Sequence, residues 1–203
     1  MSCLDTLHGR LVFERRVRVL AAHLARLLPS QASVLDVGCG DGRVARALMD
    51  HRPDTRLQGI DVLVRPQTFI PVMAFDGAHI PYPDGQFDVV MFVDVLHHTT
   101  DPMVLLREAA RVARRALLIK DHCRDGWLAE PTLRFMDWVG NARHGVTLPY
   151  NYWSWERWQT AWQELGLRPT TCIRQLGLYP PPASWFFDRS LHFIALLEKG
   201  TLH

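Results

Sequence analysis

Chemistry is most legible in the segment Val34-Leu35-Asp36-Val37-Gly38-Cys39-Gly40-Asp41-Gly42, where an apolar run closes on an acid and then on three alternating glycines. Glycine lets a ligand approach the main chain without a Cβ in the way, and a helix opening just beyond such a turn supplies unpaired N–H groups. Asp61 follows about 20 residues later, the spacing at which an acid ending a second strand accepts both hydroxyls of a ribose. Together they predict a nucleoside-containing cofactor. The turn reads G-C-G-D-G rather than the G-x-G-x-x-G of pyrophosphate-binding loops. An anion is unwelcome beside Asp36 and Asp41, whereas a cofactor carrying an ammonium and a sulfonium is favoured there.

A second concentration of chemistry lies downstream, in Asp94-Val95-Leu96-His97-His98 and in Asp121-His122. Histidine titrates near neutral pH and can take a proton from a reacting group. A metal set drawn from His98, Asp121, His122 and Cys123 matches no known ligand spacing, so no metal is expected.

These residues need a scaffold, and the hydrophobic pattern supplies one. Ser33–Val37, a helix from Arg43 to about His51, and Arg56–Asp61 form a βαβ unit. Val72–Phe75, Phe87–Val93 and Ala116–Lys120 are further strands, and Phe87–Val93 alternates poorly because it is a continuous apolar run, as a parallel sheet covered on both faces demands. A helix opens at Asp101-Pro102 and runs to about Arg115. Upstream, Leu11 to Leu28 is an amphipathic helix ended by Pro29, whose Arg15, Arg16, Arg18 and Arg26 read as a solvated face. Past Asp121 the pattern changes: Pro131–Val139 and Ser154–Leu165 look helical, and Arg168–Arg174 and His192–Leu197 look extended. The expected fold is α/β, a Rossmann-like three-layer sandwich on a mostly parallel seven-stranded sheet with an antiparallel last strand and an N-terminal helix. We read residues 1–203 as a single domain: helical cap 1–30, cofactor-binding half 31–121, helical acceptor-covering insertion 122–167, and closing strands 168–203.

Bulk properties exclude other classes. A length of 203 residues suits one domain, and a net charge of +2 from 23 basic and 21 acidic residues gives no long-range attraction to a polyanion, so nucleic acid is not an expected partner. Cys3, Cys39, Cys123 and Cys172 are far apart with no C-x-x-C pair, which argues for reduced thiols. Met1–Arg10 has no apolar core of a secretory signal, and no apolar run reaches the ~18 residues of a membrane span, so a cytoplasmic location is expected. All seven Trp lie at or after Trp127, which marks the last part of the chain as built for a different task.

The stretch from about Gln31 to Lys120 resembles the class I S-adenosylmethionine-dependent methyltransferases, especially the type 11 small-molecule subgroup that includes ubiquinone and menaquinone biosynthesis enzymes. Beyond the glycine turn, Ala74-Phe75-Asp76-Gly77-Ala78 is similar to the family's third-strand acid, Ile80 to Asp88 to its lead into the fourth strand, and Asp94 to His98 to its segment beneath the cofactor. The resemblance implies S-adenosyl-L-methionine as cofactor. It places Asp36, Gly38, Cys39 and Gly40 at the methionine end, Asp61 on the ribose, Val62, Asp76 and Gly77 around the adenine, and Asp94 and Val95 at the floor. One departure stands out: Val62–Pro71 is shorter than the dozen or more residues a parallel crossover usually takes, so the usual helix there should shrink to a turn.

Methyl transfer from a sulfonium mainly requires that acceptor, methyl carbon and sulfur be held in line. An oxygen or carbon acceptor also sheds a proton, for which His98 is the first candidate, matching a histidine frequent in the subgroup, with His122 and Asp121 next. Trp155, Trp158 and Trp162 fall on one helical face and read as core. Tyr150, Tyr152, Trp153 and Trp138 lie off that stripe and are the candidates to line a small, apolar or aromatic acceptor. Two other readings remain: a non-catalytic cofactor-binding scaffold or regulatory subunit, which an acceptor pocket filled by Trp would favour, and a nucleic-acid or protein methyltransferase, which lacks both its N/D-P-P-Y/F turn and a basic patch here.

Overall fold

The continuous apolar runs occupy the middle of one seven-stranded sheet in the computed structural model, which describes residues 3–141 and 149–200. In chain order the elements are α1 (Cys3–Leu27), β1 (Ser33–Val37), α2 (Arg43–His51), β2 (Arg56–Asp61), β3 (Val72–Ala74), β4 (Phe87–Val93), a 3-10 turn (Leu96–His98), α3 (Pro102–Val112), β5 (Ala113–His122), α4 (Ala129–Asn141), α5 (Trp155–Glu164), β6 (Leu167–Ile173), α6 (Ser184–Phe187) and β7 (His192–Lys199). The strand order is β3-β2-β1-β4-β5-β7-β6. β7 runs antiparallel to both of its neighbours, and the remaining pairs are parallel.

Both faces are covered, which explains why β1, β4 and β5 do not alternate. On one face α3 and α5 pack Leu105, Leu106, Ala109, Trp158 and Trp162 against Val90, Leu117 and Phe193. On the other, Leu20 and Leu24 of α1 and Leu48 of α2 cover Val34, Met91 and Leu118. Asp101 caps α3 by accepting the Met103 N–H, with Pro102 at the first helical position. α3 ends at Val112 and β5 begins at once, earlier than Ala116, with Ala113 paired to Phe87 of β4 and Lys199 of β7 donating to the carbonyls of Ala110 and Ala113. α1 begins at Cys3, well ahead of Leu11. Residues 62–71 contain no helix, and the chain passes from β2 to β3 in turns.

Chain order reverses between β1 and β4, since the chain leaves β1 toward β2 and β3 and returns on the other side as β4. The carboxyl ends of β1 and β4 therefore diverge and leave a crevice, the place where open α/β sheets bind ligands. Among the described residues no helix is long and apolar enough to cross a membrane.

The Trp stripe is core, as expected: Trp158 and Trp162 are buried, and Phe193 meets Trp155, Trp158 and Trp162 edge-on at 5.5, 5.2 and 6.0 Å. Replacing Trp162 by Ala removes one of the largest buried side chains. The expected cost is about 3–5 kcal/mol, read as a lower urea midpoint with an unchanged slope.

Candidate active site

Gly38 and Gly40 hold the turn between β1 and α2 in left-handed backbone, with φ of +72° and +59°. A Cβ on Gly38 would stand 2.7 Å from Val95, so the turn and the end of β4 touch without room for a side chain. At Gly40 a Cβ would meet nothing within 4 Å, which leaves an open cradle over the main chain. Asp36, one strand residue earlier, is buried and its Oδ1 has no hydrogen-bond partner. Burial, and then the neighbouring Asp61 carboxylate, push Asp36 up to about 8. An uncompensated acid at the wall of an open cradle fits a cationic group. Asp61 accepts the Gly40 N–H at 2.7 Å and the Leu63 N–H at 2.8 Å, so it braces the turn from the end of β2.

The residues expected around the adenine lie together at the end of β2, with little covering them. Val62 is 63% exposed, with its side chain 3.0 Å from where a Cβ on Gly77 would stand. Asp76 accepts the N–H groups of Ala78 and His79 through one oxygen, which holds its carboxyl below the usual range. The missing β2–β3 helix leaves this edge open.

The other side of the crevice is a charged cluster whose size the sequence did not reveal. Asp94, at φ +59°, ion-pairs with Arg16 of α1 at 2.6 Å and with the buried Lys120 of β5. Burial would raise Asp94, yet Lys120 and Arg16 hold it well below the usual carboxylate range. Lys120 also reaches His192 Nδ1 at 3.4 Å. Arg16 corrects the reading of α1: that helix presents Arg16 to the site, and Arg15 donates to the Gly177 carbonyl, rather than offering a wholly solvated stripe.

His97, Asp121 and His122 meet beneath the 3-10 turn. His97 Nδ1 lies 2.6 Å from Asp121 Oδ1, and the Nδ1 atoms of His97 and His122 are 3.3 Å apart. Asp121 also accepts the Leu96 and His122 N–H groups. His98 stacks on His97 with ring centroids 4.0 Å apart, and its Nδ1 has no partner. Burial, then the charge on His97, lower His98 to about 4, so it is neutral at physiological pH. Cys123 turns its thiol to Asp125 at 3.2 Å, away from this group.

Of the aromatic candidates, Tyr152 stacks 5.5 Å from His97, and Tyr150 packs against Tyr152. The other two are elsewhere: Trp153 sits in the core 4.8 Å from Trp158, under Arg157, and Trp138 is 60% exposed on the outer face of α4. Arg16, Lys120, Asp137 and His192 went unrecognised as part of the site. A signal existed for one of them, since Lys120 is one of only two lysines and ends an otherwise apolar strand.

A doubly covered sheet with a glycine cradle and an unpaired buried acid at its switch point defines an α/β protein of the Rossmann-like class. A family model described as a methyltransferase domain matches residues 12–171, and the chain belongs to that family. It is 34% identical over 110 residues to a 27-O-demethylrifamycin SV methyltransferase of Amycolatopsis mediterranei, covering 47% of this chain and 40% of that protein. It is 29% identical over 136 residues to a 2-methyl-6-phytyl-1,4-hydroquinone methyltransferase of Synechocystis, covering 62% and 37%. The matches thus span less than half the length of these curated relatives. A solved S-adenosylmethionine-dependent methyltransferase of Thermotoga maritima, described as a possible histamine N-methyltransferase, shares the fold at a TM-score of 0.69 and 17% identity, over 97% of this chain and 95% of that one. The family's cofactor is S-adenosylmethionine, and the orphaned Asp36 oxygen and the open Gly40 cradle fit its methionine end.

Asp36 makes cofactor affinity depend on pH. A bound ammonium favours the ionised acid, so affinity for S-adenosylhomocysteine should rise toward pH 8 and level off above it. The slope below that point should approach about tenfold per pH unit. Calorimetry showing a flat affinity across this range would remove Asp36 from the cofactor contacts. Asp61→Ala should weaken binding by about 10 to 150-fold, the equivalent of about 1.5–3 kcal/mol of charged hydrogen bonds.

Proposed function

We propose that this chain transfers the methyl group of S-adenosylmethionine to a small, apolar or aromatic acceptor, at oxygen or carbon. The observation that carries the reading is the buried, unpartnered Asp36 beside the open Gly40 cradle at the switch point. Support for the acceptor class comes from relatives whose names specify a rifamycin and a phytyl hydroquinone. A near-balanced charge supports a small molecule over a nucleic acid.

When bound, the cofactor supplies an activated methyl on a good leaving group. Asp36 and the Gly38–Gly40 turn would seat its methionine end, Asp61 its ribose, and Val62, Asp76 and Gly77 its adenine. Val95, in contact with the Gly38 backbone, fixes the distance from that end to the 3-10 turn carrying His98. As the acceptor oxygen or carbon bonds to the methyl carbon, the methyl–sulfur bond breaks and sulfur keeps the electron pair. The proton left on the acceptor goes to His98, which is neutral and only partly buried. His122 and Asp121 are too deeply buried to touch an acceptor and act through their neighbours. Tyr150 would flank the acceptor on the histidine side, whereas Tyr152, buried and bonded to Asp137, supports Tyr150 from behind.

His98→Ala should slow single-turnover methylation by about 10²–10⁴-fold while S-adenosylhomocysteine affinity stays within about twofold. With His98 intact, the acid limb of kcat/KM should fall near pH 4 rather than at the usual 6.5, because deprotonation occurs that low. Unchanged turnover in the Ala variant would remove His98 as the base. Failure of the wild type to bind S-adenosylhomocysteine would remove the methyltransferase reading altogether.

A further inference from the structure

His97 and His98 are adjacent, yet His97 is buried whereas His98 is only partly buried. Both ring nitrogens of His97 face carboxylates from distant parts of the chain. Nδ1 meets Asp121 at the end of β5 at 2.6 Å. Nε2 lies 3.2 Å from Asp137 Oδ2 on α4, an ion-pair contact that is not aligned as a hydrogen bond. The same Asp137 oxygen accepts the Tyr152 hydroxyl at 2.5 Å.

We propose that His97 is a positioning residue, an imidazolium clamped between Asp121 and Asp137 that docks α4 and Tyr152 onto the carboxyl edge of the sheet and keeps His98 in its acceptor-facing place. The inference deepens the reading above and rests on it where His98 is concerned.

The arrangement supports this in three ways. A neutral ring would turn a lone pair toward one of the two carboxylates, so the clamp needs the cation. Burial would favour the neutral ring, but Asp121 and Asp137 overcome it and raise His97 to about 10. Among the described residues the apolar footing of α4 is small: Ala129 and Leu133 meet Tyr152 and Leu191, while Phe135, Trp138 and Val139 face outward. The ion pair is therefore a principal tie between α4 and the sheet. Finally, the segment carrying Tyr152 is bound to the same turn, since Asn151 donates its N–H to the His97 carbonyl and its side-chain amide to the Thr99 and Thr100 carbonyls.

The groups facing His97 are Asp121 and His122 from β5, Asp137 from α4, Tyr152 from the segment before α5, and His98 from its own turn. His98 in turn feels His97, Asp137, Asp121 and Asp94. Removing the His97 charge should let His98 hold a proton at higher pH.

The test uses the full chain as His97→Gln and Asp137→Asn, read by amide hydrogen exchange, by NMR titration of the His98 ring, and by S-adenosylhomocysteine calorimetry. In His97→Gln, exchange across α4 should accelerate by at least about tenfold while β1, β4 and β5 stay protected. His98 should titrate at a higher pH than in the wild type, and the acid limb of kcat/KM should move up with it. Asp137→Asn should reproduce the loosening of α4, and it carries the test if His97→Gln does not fold. Wild-type exchange in α4 in either folded variant overturns the docking role. So does acceleration spread equally over the core strands, which would make His97 a general stability residue. An unmoved His98 titration overturns the second half of the proposal. Because exchange and titration need no acceptor, they separate failure of this inference from failure of the methyltransferase reading, which the wild-type calorimetry decides.

Discussion

Much of the site depends on burying Asp94, Asp121 and Asp137 at one edge of the sheet with Arg16, Lys120 and His97 as their counter-charges. Each buried ion loses several kcal/mol of solvation, and mutual attraction offsets that only when the partners are close and well bonded. That condition is geometric. The contacts form only if α1, the ends of β4 and β5, and α4 converge within a few ångströms, so the cluster fixes four elements relative to one another. Apolar packing alone would tolerate small slips among them.

The glycine turn imposes a different kind of constraint, local in sequence and steric in origin. Gly38 carries no Cβ because Val95 occupies that space, and Val95 directly precedes the turn holding His97 and His98. The glycine turn and the histidine pair are therefore coupled through one van der Waals contact and one short turn. The Asp94 backbone, in left-handed conformation, aims the strand end into that turn while its side chain collects Arg16 and Lys120.

This difference explains what could be read beforehand. Asp36, Gly38, Gly40 and Asp61 act through backbone geometry repeated at fixed spacing along consecutive strands and turns, so their arrangement was visible without coordinates. The sheet was legible for the same reason, from the uninterrupted apolar runs of β1, β4 and β5. The charged cluster joins Arg16 to Asp94 and His97 to Asp137 across long sequence separations. No periodicity marks such pairs, and an arginine on an amphipathic helix is more often solvated than buried. Trp153 shows the limit of pattern from the other direction: it lies outside the helical stripe and is core nonetheless, because the turn before α5 folds it back onto Trp158.

Four of the seven Trp, Trp153, Trp155, Trp158 and Trp162, serve the packing of α5 on the sheet, while Trp127, Trp138 and Trp185 are exposed. On the cofactor side, β-branched and aliphatic residues fill regular space between strands and α2 or α3. On the other side α5 must cover the β5–β7 face, and Trp158 and Trp162 fill that space with Phe193. Trp158 also donates its indole N–H to the His122 carbonyl at 3.0 Å, so the same side chain that fills the core ties α5 to the end of β5. A phenylalanine would fill most of the space and leave that carbonyl without the bond. The aromatic core is thus part of what holds His122, and through it His97, in register with the cofactor cradle.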